Sequence, residues 1–301
     1  MIDWKGCGLA GKAVLLILLI LCNGMAAAPV AASQKELQRA WQEFHATASD
    51  LPLKVVSAQS GDILRAEVSG LVDQPLPLVA EALSRVENWC EFLPLNFNIK
   101  GCTFTPASPP VPALLSLWAG RKHYQEPEQA YRLQYRFRVA ERTARYLRIE
   151  IEAEEGPLES RDYHLRLELM PVPGGTFLHF HSSHRSSRLS RMATRGYLAT
   201  LGRDKEGFSI VGTQQGRPVY IQGVQGIVER NAVRYYLALQ VYLRTLELPP
   251  AERFEARLRQ WHQLTSSYGE RLFELEWEEY RQSKQRERRN QLRLQADSAI
   301  R

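Results

Sequence analysis

Three histidines stand close together in a spacing that suits metal chemistry. They are His179, His181 and His184, in or near the alternating stretch Thr176–Ser183, which predicts a strand. Neutral imidazoles are good zinc ligands, and His179 and His181 would share one strand face. Phe180 lies between them on the opposite face, so an inward-facing Phe180 leaves both histidines in solvent. No Asp or Glu lies close by in the sequence to complete a ligand shell. We therefore expect no metal site.

Nucleophilic and acid–base chemistry find little support in the sequence. The stretch Gly207–Gly212 holds a serine between glycines, but its glycine spacing is one residue too long for a hydrolase elbow. No phosphate-binding loop or dinucleotide fingerprint is present. Arg161 and Asp162, where another predicted strand begins, are the nearest acid–base candidates. We expect no catalytic residue and no cofactor, and favour binding over catalysis.

Two arginine-rich stretches suit either phosphate groups or plain solvent. Arg185, Arg188, Arg191 and Arg195 alternate with serines, and Arg281–Arg293 continues a charged helical pattern. Guanidinium groups bind phosphate head groups well, so a contact with a membrane surface is one reading, and a solvated loop or helix is the other. The net charge of +6 over 301 residues is mild. We expect no nucleic-acid partner.

The N-terminus has the pattern of an export signal. Lys5 and Lys12 precede or flank the apolar run Ala13–Leu21, and an alanine-rich stretch follows up to Ala32. The small-residue rule favours cleavage after Ala32, with Ala28 as the other candidate. An uncleaved membrane anchor is the alternative, because no charge interrupts the apolar stretch. We therefore expect a periplasmic or secreted protein.

Export changes the interpretation of the cysteines. Cys7 and Cys22 leave with the signal, so Cys90 and Cys102 remain. An even pair in an oxidising compartment predicts one disulfide, which by closing so short a loop would stabilise the fold by roughly 3 kcal/mol. Two buried free thiols are the alternative.

Alternation of apolar and polar residues dominates the middle of the chain. Between Tyr131 and Leu169 it occurs in three successive runs, around Leu133, Ile149 and Leu165. Side chains on a strand alternate between its two faces, so each run predicts a strand with one buried face. Three such strands with short links make an antiparallel meander, whose apolar face must be covered.

The cover is predicted near the other end of the chain. Gly226–Leu246 is apolar over most of its circumference and has no internal glycine or proline, which indicates a long helix buried on more than one side. Ala251–Leu294 predicts one or two further helices packed on the domain, with a solvated tail from Arg281. The other expected elements are a helix over Ser33–Ser49, strands over Leu53–Gln59, Ile63–Val72 and Phe97–Thr105, a helix over Leu78–Arg85, and a short helix or lid over Leu114–Ala119.

This order of elements resembles the START-like (SRPBCC) superfamily of lipid-transfer, polyketide-cyclase and Bet v 1-like proteins. The resemblance is carried by Val68–Pro77 leading into Leu78–Arg85, then by Trp89 with Phe92–Pro94. In that superfamily this stretch turns a strand into the helices that close one side of a cavity. The implied fold is α+β: a helix-grip fold in which a curved antiparallel sheet wraps around a long C-terminal helix, here with extra C-terminal helices.

The resemblance covers roughly residues 53–246 and leaves two departures. Arg185–Gly226 is longer than the family core requires, and Ala251–Arg301 lies outside it. The implied domain organisation is a signal peptide over 1–32, an N-terminal helical segment over 33–52, a START-like domain over 53–248, and a charged helical extension over 249–301.

The resemblance also implies a deep cavity between sheet and helix for a lipid, sterol or polyketide. Aromatic residues of the predicted inner face suit such a cavity, because a phenol offers an apolar ring and a hydroxyl. A solid core filled by the same rings is the alternative. The expected cavity residues are Tyr131, Tyr135, Phe137, Tyr163, Trp89, Phe92, Tyr235 and Tyr236.

The sequence thus predicts an exported protein that binds or transfers a hydrophobic, lipid-like small molecule. Two other classes stay open. One is an interaction module with a filled core, whose partner is held by the arginine-rich insertion and the C-terminal helices. The other is a cyclase- or hydrolase-like enzyme, which a carboxylate or histidine inside the cavity would favour.

Overall fold

The computed structural model describes residues 30–46, 53–199 and 205–300. Most of the predicted signal, residues 1–29, lies outside these ranges, as does the end of the helix expected over Ser33–Ser49. Within them, no helix is both long and apolar enough to cross a bilayer.

One curved antiparallel sheet forms the body of the protein. Its eight strands lie in the order β1-β2-β8-β7-β6-β5-β4-β3, so the sheet's two edges are β1 and β3. The strands are β1 (Leu53–Ser60), β2 (Ile63–Val72), β3 (Ile99–Thr105), β4 (Ala113–Ala119), β5 (Tyr131–Arg142), β6 (Leu147–Glu155), β7 (Arg161–Val172) and β8 (Gly175–Arg185).

The predicted meander is β5, β6 and β7. Phe137 is paired with Ile151 across β5 and β6, and both are buried on the inner face. The neighbouring pair, Arg138 and Glu150, forms an ion pair on the outer face. Each strand therefore turns alternate apolar side chains to the inner face, as the sequence pattern predicts. On the outer face, Arg148 of β6 and Glu168 of β7 are buried as well.

Seven α-helices, four short 3-10 turns and a small hairpin complete the described part of the chain. The hairpin consists of β9 (Ile210–Gln214) and β10 (Arg217–Tyr220). The helices are α1 (Val30–Ala46), α2 (Leu76–Leu83), α3 (Val86–Trp89), α4 (Arg188–Ala199), α5 (Gly223–Arg244), α6 (Pro250–Ser267) and α7 (Trp277–Ile300).

Helix α5 covers the inner face of the sheet. It packs against β1 and β2 on one side and against α6 on the other, and Val233, Ala238 and Val241 are fully buried. The prediction of a helix buried on more than one side is confirmed. A curved sheet around a long helix is the helix-grip architecture, so the predicted α+β fold class is also confirmed.

Helix α1 covers the opposite, outer face of the sheet. Leu37 packs there with Phe177 and Tyr146 in a second apolar cluster. Ser33 and Tyr146 both hydrogen-bond the buried carboxylate of Glu168. The N-terminal helix is thus attached to the sheet by apolar and polar contacts.

Helix α7 covers edge strand β3 and corrects one prediction. The side-chain amide of Gln295 accepts a hydrogen bond from the Phe104 N–H (2.9 Å) and donates one to the Phe104 carbonyl (3.1 Å), as a neighbouring strand would. Lys284 and Glu287 are buried against the sheet. The expectation of a solvated tail from Arg281 is therefore wrong for this face of the helix.

A second correction concerns Leu114–Ala119, expected as a short helix or lid. These residues belong to β4, which pairs with β3 and β5 along its length. A short apolar run suits either a buried strand or a helix, and the pairing partners decide between them.

Cys90 and Cys102 form a disulfide that joins the end of α3 to β3. Both residues are buried. The predicted pairing is therefore present in the structure.

Candidate ligand-binding cavity

A cavity of about 280 Å³ lies between the inner face of the sheet and α5. Strands β2 and β4 to β8 supply one wall, and α5 supplies the facing wall. The segment from α3 to Leu93 closes one side, where the family resemblance places the closing helices. The lining residues include Val68, Trp89, Phe92, Leu115, Tyr135, Ile151, Tyr163, Phe180, His184, Asn231, Tyr235 and Tyr236.

The inner end of the cavity is wholly apolar and tightly held. Val68, Leu115 and Leu178 are each at most 1% exposed. Trp89 packs against Phe92 at 5.3 Å, and its indole N–H donates to the Leu83 carbonyl at 2.9 Å. Because this hydrogen bond satisfies the indole, the ring presents only apolar surface to the cavity.

Six of the eight predicted cavity residues line this space. They are Trp89, Phe92, Tyr135, Tyr163, Tyr235 and Tyr236.

The other two predicted residues do not line the cavity. Phe137 is buried on the inner face of the sheet, where its ring lies edge-on to Trp89 at 5.6 Å, but it is not among the residues that line the cavity. Tyr131 is 52% exposed at the start of β5, opposite Ala119. The parity of Tyr131 is right, but it lies too near the strand end for α5 to cover it.

Close approach of α5 to β2 shapes one side of the cavity. The Tyr236 hydroxyl donates to the Leu71 carbonyl at 2.8 Å and accepts from the Gln240 amide at 2.6 Å. The ring lies directly over Gly70, where a Cβ atom would come within 2.5 Å of it. Only glycine leaves room for the ring at this position.

The mouth lies between the ends of β7 and β8 and the N-terminal half of α5. Apolar residues at this end are only half-buried, including Leu165, Phe180 and Tyr235. Polar lining residues collect here as well: Ser182, Ser183 and His184 on β8, and Asn231 on α5. The cavity therefore has an apolar interior and a polar mouth.

His184 is the histidine that faces the cavity. Its ring is stacked on Tyr163, with centroids 4.9 Å apart and planes inclined by 6°. Burial lowers the pKa of His184 below its usual 6.5, which favours the neutral imidazole. The Tyr163 hydroxyl is itself held by Ser160 at 2.7 Å, so the stacked pair is anchored.

The other two histidines of the cluster lie on the outer face. His181 approaches the Glu67 carboxylate at 3.3 Å, and His179 hydrogen-bonds Ser69 at 3.0 Å. Phe180 points inward between them, so both histidines lie on the outer face as expected, but the His179 side chain is only 14% exposed there and is not in open solvent. Within the described ranges, no three His, Cys, Asp or Glu side chains are grouped closely enough to hold a metal.

No charged side chain contributes to the cavity wall in the described part of the chain. The Tyr135 and Tyr235 hydroxyls point into this environment without a hydrogen-bond partner among the described residues. Burial raises the pKa of Tyr235 to about 12, and it raises the pKa of Tyr135 as well. Both phenols are therefore neutral, and each has an O–H group that can donate a hydrogen bond.

Sequence reasoning missed the polar mouth. The sequence pattern indicates His184 only as a potential metal ligand, and it gives Ser182 and Asn231 no functional role. The signal for two of them was present, because Ser182 and His184 share the strand parity of Phe180. Asn231 had no such signal, since the side of α5 facing the mouth depends on how the helix packs.

Solved structures with a similar fold were found, at low sequence identity. A STAR-related lipid transfer protein from Xanthomonas axonopodis is 12% identical, with 66% of this chain and 97% of that one covered, at a TM-score of 0.41. The Zhui aromatase/cyclase from a Streptomyces species is 13% identical, with 63% and 98% covered, at 0.40. A START superfamily protein from Mycobacterium smegmatis is 17% identical, with 46% and 92% covered, at 0.31.

No protein-family model matches the chain, and no curated protein is significantly similar to it. The protein has a START-like helix-grip fold, and this assignment rests on its own strand order and on the position of α5. The fold alone does not identify a ligand, so any function must be argued from the residues that line the cavity.

Proposed function

We propose that this protein binds an apolar small molecule in the cavity between sheet and α5, as a carrier or transfer protein for a lipid-like ligand. The observation that carries the proposal is the cavity itself, with its apolar interior and polar mouth. Protein interiors are normally close-packed, so a cavity of about 280 Å³ between the sheet and α5 is large enough to serve as a binding site for a small molecule.

The driving force would be removal of apolar surface from water. Half-buried Leu165, Phe180 and Tyr235 expose such surface at the mouth. Each Å² that a guest covers contributes about 25 cal/mol.

The structure gives less support to the two alternatives. A filled-core interaction module conflicts with the cavity. Its expected docking stripe on the C-terminal helices is mostly turned inward, since Leu258, Trp261, Leu272 and Leu275 are buried. The enzyme reading keeps one observation in its favour, the imidazole of His184 at the mouth, but the described wall provides no carboxylate to work with it.

We also propose that the chain is exported. The buried disulfide is compatible with folding in an oxidising compartment. Finding the mature N-terminus at Ser33 in protein from that compartment would establish both export and cleavage.

A membrane contact through α4 is part of the same proposal. This helix carries Arg188, Arg191 and Arg195 with no acidic residue, and its apolar Leu189 and Met192 are 44% and 68% exposed. It contacts the turn between β6 and β7 and also α5, the elements that border the mouth. A basic helix with exposed apolar residues suits an anionic lipid surface, to which it would bring the cavity mouth.

Native mass spectrometry of protein purified from its own compartment tests the binding proposal. We expect an apolar molecule of defined mass that organic extraction releases. Tyr135→Glu would place a carboxylate in the wall and should abolish co-purification. Gln134→Glu, on the exposed face of the same strand, is the matched control. A ligand-free mass for the wild type, with no uptake of added lipids, would refute the proposal.

A further inference from the structure

Buried charges elsewhere in this protein have dedicated partners. Glu229 is fully buried and accepts hydrogen bonds from Ser57, Ser209 and the Phe208 N–H, all between 2.7 and 2.9 Å. Lys100, also fully buried, lies 2.9 Å from the Glu287 carboxylate. Where the fold takes a charge out of water, it supplies the opposite charge or several donors.

The described wall of the cavity offers no comparable partner for a buried charge. It has no Lys or Arg for an anionic head group and no Asp or Glu for a cationic one. The polar atoms at the mouth belong instead to neutral groups: hydroxyls, an amide and the imidazole of His184. A charged group drawn into this space would lose its hydration without compensation.

His184 has hydrogen-bonding capacity that no described residue of the protein uses. Its contact with Tyr163 is ring stacking, and neither ring nitrogen has a hydrogen-bond partner among the described residues. A neutral imidazole offers one donor and one acceptor. The Asn231 side chain, across the mouth on α5, accepts a hydrogen bond from Arg234 at 3.5 Å through its Oδ1, and its N–H₂ is without a partner in the described ranges. Together they suit a group that both donates and accepts, or one that only accepts.

The volume of the cavity limits the size of the ligand that it can hold. At about 280 Å³ it is near the lower limit of ligand pockets, which span about 300–1,000 Å³. A space of this size suits one hydrocarbon chain or a small ring system, and is too small for both chains of a membrane phospholipid.

We infer that the ligand is an uncharged single-chain or ring amphiphile whose hydroxyl or carbonyl group is hydrogen-bonded at the mouth by His184 and Asn231. This inference rests on the proposed function and adds the chemical class of the ligand. Carboxylates and phosphates of the same chain length should bind less tightly, because the described cavity wall has no Lys or Arg side chain to receive them.

Displacement of a hydrocarbon fluorophore tests the inference. Delipidated wild-type protein is loaded with 1,6-diphenylhexatriene, which has no polar group, and titrated at pH 8 with 1-dodecanol, dodecanoate or dodecyl phosphate. These competitors share one chain and differ in the head group. We expect dodecanol to displace the fluorophore at a concentration at least about tenfold lower than either anion.

Two variants of one strand test the role of His184. His184→Phe keeps a ring that can stack on Tyr163 but removes both nitrogens, so the affinity for dodecanol should fall about five- to tenfold with fluorophore binding retained. His181→Phe makes the same change on the outer face and should leave both affinities unchanged.

The outcomes separate the inference from the function it rests on. Failure of the wild type to bind the fluorophore would count against the proposed function. Fluorophore binding with equal or better displacement by the anions would overturn the inference alone. A His184→Phe variant that binds dodecanol like the wild type would remove His184 from the head-group site.

Discussion

The contact between Gly70 and Tyr236 decides the shape of one cavity wall. Gly70→Ala would put a methyl group 2.5 Å from the Tyr236 ring, so the ring must move toward the cavity and lose its hydrogen bond to Leu71. We expect a loss of about 1–3 kcal/mol in the free energy of unfolding, with weaker binding of apolar probes. Urea unfolding and fluorophore titration would measure the two effects.

Gly196→Ala is the control for this substitution. Gly196 lies within α4, and a Cβ atom there would have no neighbour within 4 Å. Alanine favours the helix by about 1 kcal/mol at such a position, so this variant should be as stable as the wild type or more so. If Gly70→Ala behaves in the same way, the ring is not confined as the structure indicates.

At the scale of single residues, the position of a residue along its strand predicted which side chains face the cavity better than the residue type did. The alternating pattern of β5 correctly predicted that Tyr135 faces inward. The same rule applied to β8 predicts that His184 faces the cavity. Tyr131 shows the limit of the rule, because parity says which face a side chain takes but not whether anything covers it. Cover is a property of the neighbouring elements.

At the scale of elements, the docking of α7 depends on a buried ion cluster. Glu287 lies 2.9 Å from Lys100 and 2.6 Å from Lys284, and all three side chains are at most 3% exposed. Glu287→Gln leaves two buried ammonium groups without a counter-charge. We expect it to lower the free energy of unfolding by about 3–5 kcal/mol at pH 7.

The pH dependence of this loss in the free energy of unfolding is a more specific test of the ion cluster. Burial lowers the pKa of Lys284 to about 8, below the 10.5 of an ordinary lysine. The folded protein favours the neutral form of Lys284 more than the unfolded chain does. This contribution to the free energy of unfolding is therefore fully present above about pH 10.5 and is lost as the pH falls through 8. The deficit of the Glu287→Gln variant should be largest below pH 8 and should shrink toward pH 10.

Glu278→Gln on the same helix is the control for this test. Glu278 is exposed and pairs with Arg281 at 2.8 Å. Its loss should change stability by at most about 0.5 kcal/mol at any pH. A Glu287→Gln deficit that stays constant with pH would mean that lost packing, rather than unpaired lysine charge, destabilises the variant.

Helix α4 gives a second prediction at this scale. Reversing Arg188, Arg191 and Arg195 to Glu should abolish binding to phosphatidylglycerol vesicles, because the anionic surface then repels the helix. Sedimentation with phosphatidylglycerol and phosphatidylcholine vesicles at low and high salt would measure it, and the wild type should bind only the anionic vesicles at low salt.

A control with the same change in net charge isolates the role of α4. Arg39, Arg65 and Arg289 are exposed arginines on three other elements, α1, β2 and α7. Reversing these three should leave most vesicle binding intact. Equal loss in both triple variants would show that net charge, and not α4, attracts the protein to lipid.

Periodicity predicted the long elements well and the short or charged ones poorly. The meander and α5 have clear periods of 2 and 3.6 residues, so their existence and burial followed from the sequence. Leu114–Ala119 is too short to show a period, and its pairing with β3 and β5 is a long-range fact. For α7, a run of charges suggests solvent, and nothing in it shows that Lys284 will meet Glu287 and the distant Lys100.

At the scale of the whole molecule, the fold followed from the order of elements, whereas the cavity followed only from their packing. The same aromatic residues would have filled a solid core had α5 lain closer to the sheet. Helix α5 and the sheet are in close contact where Tyr236 lies over Gly70. They are farther apart beside Tyr135 and Tyr163, and the cavity occupies the space between them there.

The disulfide acts on the whole chain, because a cross-link mainly restricts the unfolded state. Cys90 and Cys102 are 12 residues apart, and closing a loop of that size stabilises a protein by about 3 kcal/mol in the chain-entropy model. Cys90→Ser should therefore lower the melting temperature by several degrees under oxidising conditions. After unfolding and refolding in dithiothreitol, wild type and variant should melt together, because neither then has the cross-link. If the variant still melts lower in reductant, then the serine damages the packing around the buried Cys90, and the cross-link is not the main source of the stability.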